Sequence, residues 1–293
     1  MISAKKSSYY LPEPSHWPII GSIGLFILFI GLANWLHKST LGPYLFLLGA
    51  GMVIFMMFGW FGTVIRENRA HLLNSFQVNR SFRWAMLWFI FTEVMFFGAF
   101  FGALFYARFL AVPWLGGAGH GTMTHLLLWP NFQAAWPVFT NPNPANFQGP
   151  KEIMETWGIP AINTAILLSS GITITIAHWA VLKNRRNTML IAQALTILLG
   201  VSFLLMQVNE YGIAYSEKGL TLGSGIYGTT FFMLTGFHAA HVTIGSIMLC
   251  VILYRMIRRD FSSTNHFGFE AVSWYWHFVD VVWLALFIFV YWM

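Results

Sequence analysis

Trp274-Tyr275-Trp276-His277-Phe278-Val279-Asp280-Val281-Val282-Trp283 is the centre of the last apolar stretch of the chain. The stretch is long enough for a helix and too apolar to lie in water. It is therefore buried or in lipid. His277 and Asp280 stand three residues apart, which places both on one helical face. An ionisable group in hydrocarbon is costly unless it faces protein, a partner group or water. Two such groups inside a row of tryptophans point to more than a plain anchor.

The rest of the chain repeats the apolar character. Charged residues make up 9% of the 293 residues, against about 25% in soluble domains. Apolar residues reach 57%, more than a soluble fold can hide. A hydrocarbon core of about 30 Å needs about 20 apolar residues per helix. Seven runs qualify: 17–36, 42–64, 82–111, 159–182, 189–211, 226–254 and 271–292. Backbone groups in lipid must bond to one another, so these runs are expected as helices of an all-α, polytopic membrane protein. The chain reads as one membrane domain over 1–293. Helices 1–2 fall within 17–64, helices 3–7 within 82–292, and a long outer loop within 112–158.

The net charge of +6 raises a choice between nucleic acid and lipid, and the positions of the charges decide it. With the N-terminus in the cytoplasm, the inside holds Lys5, Lys6, Arg66, Arg69, Arg80, Arg83, Lys183, Arg185, Arg186, Arg255, Arg258 and Arg259. The outside keeps only Lys38, Arg108, Lys151 and Lys218. This bias predicts N-in, C-out, and no basic patch stands clear of the membrane ends to bind nucleic acid. Residues 1–18 lack the apolar core and cleavage site of a signal peptide, so the first span is expected to act as its own insertion signal. One cysteine, Cys250, excludes a disulfide framework and a thiolate metal site.

Within the spans, few groups can carry chemistry. Glu93 lies ten residues beyond Arg83, about 15 Å into the membrane at 1.5 Å per residue. Two readings stand: a proton-exchanging or lipid-contacting carboxyl, or a neutral acid bonding two helices. His238 and His241 also share a face, as haem or metal would require. No carboxylate or thiol follows them at ligand spacing, so they are expected as histidines bonded within the bundle, with no metal site. Depth counting puts Glu93, His238, His241 and Asp280 at one level, with His277 a turn away. A polar layer is expected, in which a histidine approaches Glu93 or Asp280. Trp60, Arg66, Glu67 and Arg83 lie at inner helix ends and suit phospholipid head groups or interfacial anchoring. Gly223-Ser224-Gly225-Ile226-Tyr227-Gly228 matches a dinucleotide fingerprint, but no strand precedes it, so the glycines are expected to make a turn. Gly98-Ala99-Phe100-Phe101-Gly102 permits close helix approach.

Several ordered stretches resemble subunit III of the haem-copper, aa3-type cytochrome c oxidases. They are Val64-Ile65-Arg66-Glu67, Glu93-Val94-Met95-Phe96-Phe97, Asn163-Thr164-Ala165-Ile166-Leu167-Leu168-Ser169-Ser170-Gly171, and Gln207 with Glu210-Tyr211. Tyr227-Gly228-Thr229-Thr230-Phe231-Phe232 runs on to Thr235-Gly236-Phe237-His238-Ala239-Ala240-His241-Val242-Thr243-Ile244-Gly245. His266-Phe267-Gly268-Phe269-Glu270-Ala271 leads into the Trp-rich helix. The family's common Trp-Trp-Arg-Asp is Trp60-Phe61-Gly62-Thr63 here, and its usual Ser-Asp-Gly is Gly223-Ser224-Gly225.

The resemblance implies seven helices, with helices 1–2 set off from helices 3–7 by a lipid-filled cleft. It implies no redox centre in this chain: haem and copper sit in subunits I and II, and cytochrome c donates electrons to the complex. It implies packing on subunit I, bound phospholipids near Trp60, Arg66, Glu67, Arg83 and Glu93, and support of proton uptake. Glu93 matches the family's carbodiimide-reactive carboxyl. The alternatives are subunit III of a quinol oxidase, which commonly has five helices, or a proton-coupled transporter using Glu93, His238 and Asp280. Haem held by His238 or His277 is a third. The long outer loop and the lack of a transit sequence point to a bacterial plasma membrane rather than a mitochondrial one.

Overall fold

A computed structural model describes residues 13–73 and 75–293. Lys5 and Lys6, counted above among the inside charges, lie outside them. Every regular element among the described residues is helical, and seven helices are long and apolar enough to cross a membrane. We label them α1 (Trp17–Leu36), α2 (Gly42–Arg69), α3 (Phe76–Phe105), α4 (Ile159–Leu182), α5 (Arg186–Ser216), α6 (Ile226–Ile257) and α7 (Phe267–Leu286). The chain divides into two compact units, Met1–Trp84 and Ala85–Met293.

In the first unit, α1 and α2 form an antiparallel hairpin. Pro18 and Pro43 sit in the first turn of their helices, where the missing N–H costs nothing. Gly31 lies on the backbone of Leu45 and Phe46, and Gly49 on that of Leu28. A Cβ at either would meet backbone atoms, so the two helices touch main chain to main chain, as small residues allow in lipid. Trp17 Nε1 donates to Thr63 Oγ1 (3.2 Å) and Arg66 Nη2 donates to the same oxygen (3.0 Å). Thr63 stands where the family pattern has aspartate, so a neutral acceptor receives the guanidinium here.

The second unit is built around α7. α4 packs on α5, α5 on α6, α6 on α7, and α4 closes on α7. Trp276 and Trp283 are almost fully buried. Each indole N–H finds a hydroxyl on α4: Trp276 Nε1 donates to Ser170 Oγ and Trp283 Nε1 to Thr164 Oγ1, both at 2.9 Å. Two glycines make the slot for Trp276. A Cβ at Gly200 on α5 would lie 2.7 Å from the ring, and one at Gly245 on α6 would lie 2.9 Å from it. The Trp-rich stretch is therefore the hub on which three other helices lock.

Several helices outrun the apolar runs. α2 continues to Arg69, α5 spans Arg186–Ser216, and α3 begins at Phe76. α3 passes into a π-helical turn, Tyr106–Ala111, and a short helix, Val112–Leu115, so the loop expected from 112 begins as helix. A second short helix, Thr122–Leu128, lies within the loop. The loop is tied to the α5–α6 turn: Lys151 N donates to Lys218 O (2.9 Å), and Lys218 Nζ pairs with Glu152 (2.9 Å). Asn141 Nδ2 donates to Phe147 O at 3.1 Å and packs against Gly225, whose φ of 93° only glycine adopts cheaply. The dinucleotide-like glycines serve this turn.

Candidate functional site

α3 and α6 bring Glu93 and His241 together. Glu93 Oε2 lies 2.8 Å from His241 Nε2, with the carboxyl 21% and the imidazole 14% exposed. His241 Nδ1 lies 2.6 Å from the carbonyl of Phe237, one turn back on its own helix. A carbonyl only accepts, so Nδ1 carries a proton. The Nε2 contact with Glu93 then holds one further proton, on either atom. The pair is a neutral acid with an imidazole, or a carboxylate with an imidazolium. Both arrangements are net neutral, which suits a half-buried site in a membrane protein. Phe96 packs tilted and Phe97 edge-on against the imidazole, and Tyr275 stacks at 6.4 Å. The aromatic rings enclose the imidazole and leave the carboxyl partly exposed.

His238 takes a different direction. Three residues along a helix turn 300°, which leaves a 60° offset between the two histidines. His238 Nε2 donates to Val279 O on α7 (3.2 Å), and the ring lies between Phe203 and Trp283. At 1% exposure it has no room for a haem face. Among the described residues no three His, Cys, Asp or Glu side chains are grouped as a metal ion would require.

His277 and Asp280 face α4. Nδ1 of His277 lies 3.6 Å from Asp280 Oδ2, and its Nε2 lies 3.4 Å from Thr175 Oγ1. The imidazole is 43% exposed and the carboxyl 8%. Of the expected polar layer, Glu93 thus pairs with His241 and His277 with Asp280, while His238 stands apart.

Of the head-group candidates, Trp60 is exposed, Arg66 is bonded to Thr63, and Arg83 Nε donates to Asn79 Oδ1 at 2.8 Å. Glu67 is half-buried. Two polar contacts escaped the sequence reading. Tyr291 donates to Glu210 Oε1 (2.7 Å) inside the bundle, and Arg255 Nε donates to Asp260 Oδ2 (3.3 Å) with its guanidinium over Phe261. Glu210 and Arg255 had served only as a family marker and an orientation charge. The signal for Glu210 was an acid within the long apolar run of α5.

Seven helices long and apolar enough to cross a membrane, two of whose acids pair with histidines, define a multi-pass, all-helical membrane protein. The family described as cytochrome c oxidase subunit III matches residues 7–127 and 123–293. The chain is 39% identical over 285 residues to the cytochrome c oxidase subunit 3 proteins of Oryctolagus cuniculus, Damaliscus lunatus and Formosania lacustris, covering 97% of this chain and 97% of each relative. It belongs to the cytochrome c oxidase subunit III family, and its place is that of subunit III in an oxidoreductase complex with other oxidase subunits.

Proposed function

We propose that this chain is the non-redox subunit III of a proton-pumping terminal oxidase that takes electrons from cytochrome c and reduces O2. It packs on subunit I, beside subunit II, and leaves haem and copper to them. Trp60, Arg66, Glu67 and Arg83 hold phospholipid head groups at the cytoplasmic side of a bacterial plasma membrane, with the N-terminus inside and the C-terminus outside. Glu93 keeps one exchangeable proton with His241 and supports proton uptake by the complex. The single-proton contact between Glu93 Oε2 and His241 Nε2, 2.8 Å long, is the observation that supports this reading. The test is Glu93→Gln in the intact complex. Initial O2 reduction should stay near that of the parent, while activity should decay faster under continuous turnover and less phospholipid should remain bound. Abolished haem reduction in an intact complex, or no change in either readout, would contradict it.

A further inference from the structure

α4 and α6 end in the same way. Asn184 follows α4 and Arg259 follows α6, each with a positive φ (52° and 62°). Asn184 N donates to Val181 O and Arg185 N to Ala180 O; Arg259 N donates to Met256 O and Asp260 N to Arg255 O. Both ends are Schellman motifs, which satisfy the last carbonyls and turn the chain sharply. With the first turn of α5 they close a cavity of about 370 Å³, lined among others by Asn184, Arg186, Met189, Met256, Arg259 and Phe261.

Among the described residues, the lining of this cavity holds two guanidinium groups and no carboxylate. Arg186 Nη2 donates to Ile257 O (3.0 Å) and Nη1 to Met256 O (3.4 Å), which fixes the guanidinium across the end of α6. A guanidinium has five N–H donors, so Arg186 keeps others free. Arg259 is exposed, and its side chain makes no hydrogen bond or ion pair with the described residues. Its neighbour Asp260 is held by Arg255 at 3.3 Å. Segments 183–186 and 255–266 together carry six Lys and Arg against one acid. α5 adds the positive end of a 31-residue helix, with no acid in its first turn and no side-chain cap. Like charges facing one cavity repel, and an anion between them relieves that repulsion.

Level and chemistry select the anion. Trp179 and Tyr254 stand 59% and 55% exposed, about one turn before the two helix ends, as aromatic residues do at the head-group level. Guanidinium forks fit phosphate oxygens in pairs, and the Asn184 amide offers a neutral donor beside them. We propose that this cavity binds a phosphate group, clasped between Arg186 and Arg259. The phosphate belongs to the head group of an anionic phospholipid or to a free phosphate ion. None of these residues belongs to the Trp60, Arg66, Glu67 and Arg83 set, so the site stands whether or not that set holds lipid.

The test is arginine footprinting of the complex, extracted in mild detergent, stripped of phospholipid and kept in phosphate-free buffer. Phenylglyoxal labels exposed arginines, and mass spectrometry reads Arg258 and Arg259 separately. Arg258 is the internal control: it is exposed and adjacent, and it donates to Tyr254 Oη at 3.0 Å. Phosphatidylglycerol in micelles, or inorganic phosphate, should abolish labelling of Arg259 and leave the rate at Arg258 unchanged. Protection by the lipid alone supports a head-group site; protection by inorganic phosphate as well supports a site for the free ion. Arg186→Gln removes one of the two cations and should raise the protecting concentration at least about tenfold, the share of one charge-assisted hydrogen bond. If Arg186→Gln fails to assemble, the footprint of the unaltered chain decides. Equal protection of Arg258 and Arg259 means charge screening only and overturns the proposal. Protection by neither probe overturns it, as does an Arg259 that stays unlabelled in the phospholipid-free complex.

Discussion

Gly200→Ala tests the packing of the Trp-rich helix. The added methyl would sit 2.7 Å from Cη2 and 3.0 Å from Cζ2 of Trp276, and 3.2 Å from Ser246 Oγ. The ring cannot retreat. It is fully buried, its N–H is held by Ser170 at 2.9 Å, and Gly245 closes the opposite wall. Overpacking of this kind costs about 1–3 kcal/mol, roughly a 5- to 150-fold fall in the folded ratio. Gly245→Ala should cost a similar amount. Because both methyls press on one ring, the double variant should depart from the sum of the singles. Trp276→Phe is the discriminating partner. It frees the space but loses one hydrogen bond, worth about 0.5–1.5 kcal/mol. In the Gly200→Ala background it should recover part of the loss, whereas in the parent chain it should only destabilise. Unfolding of the purified chain in mixed micelles, followed by tryptophan fluorescence and helical circular dichroism, measures each term. An unchanged Gly200→Ala midpoint, or a Trp276→Phe that is equally harmful in both backgrounds, would refute the reasoning.

Other contacts give sharper local expectations. A double-mutant cycle of Glu93→Gln and His241→Gln should return a coupling of about 0.5–2 kcal/mol in the same unfolding assay, the range for polar contacts between membrane helices; additivity would mean that the 2.8 Å contact carries no energy. Tyr291→Phe removes the donor to buried Glu210 and should cost about 1–3 kcal/mol, more than an exposed Tyr→Phe such as Tyr44→Phe. Thr63→Val takes the shared acceptor from Trp17 and Arg66 and should speed proteolysis at the end of α2 while sparing the second unit.

Counting apolar residues reads lipid, and this explains which parts of the fold were legible. The bounds of α1 and α4 agree with the apolar runs because each starts at a proline in its first turn and ends at a polar turn. α2 and α5 extend past their runs because Arg66, Arg69 and Glu217 mark the membrane rim, where a helix continues with charged side chains. Depth counting placed Glu93, His238, His241 and Asp280 at one level, but depth does not give azimuth. The 60° between His238 and His241 sends one to Val279 O and the other to Glu93. The slot for Trp276 was not legible, since Gly200 and Gly245 are ordinary glycines until the ring is seen between them. Tyr291 and Glu210 lie 81 residues apart, and no local pattern joins them.

The central claim is that this chain works in the oxidase without a redox centre of its own. Its most direct test is extraction of the tagged chain in mild detergent, followed by visible spectra of the whole complex and of the separated chain. Haem and copper should come down with the partner subunits, and the separated chain should show no visible absorption. A chain isolated without haem-bearing partners, or one that keeps a haem band after separation, would contradict the account.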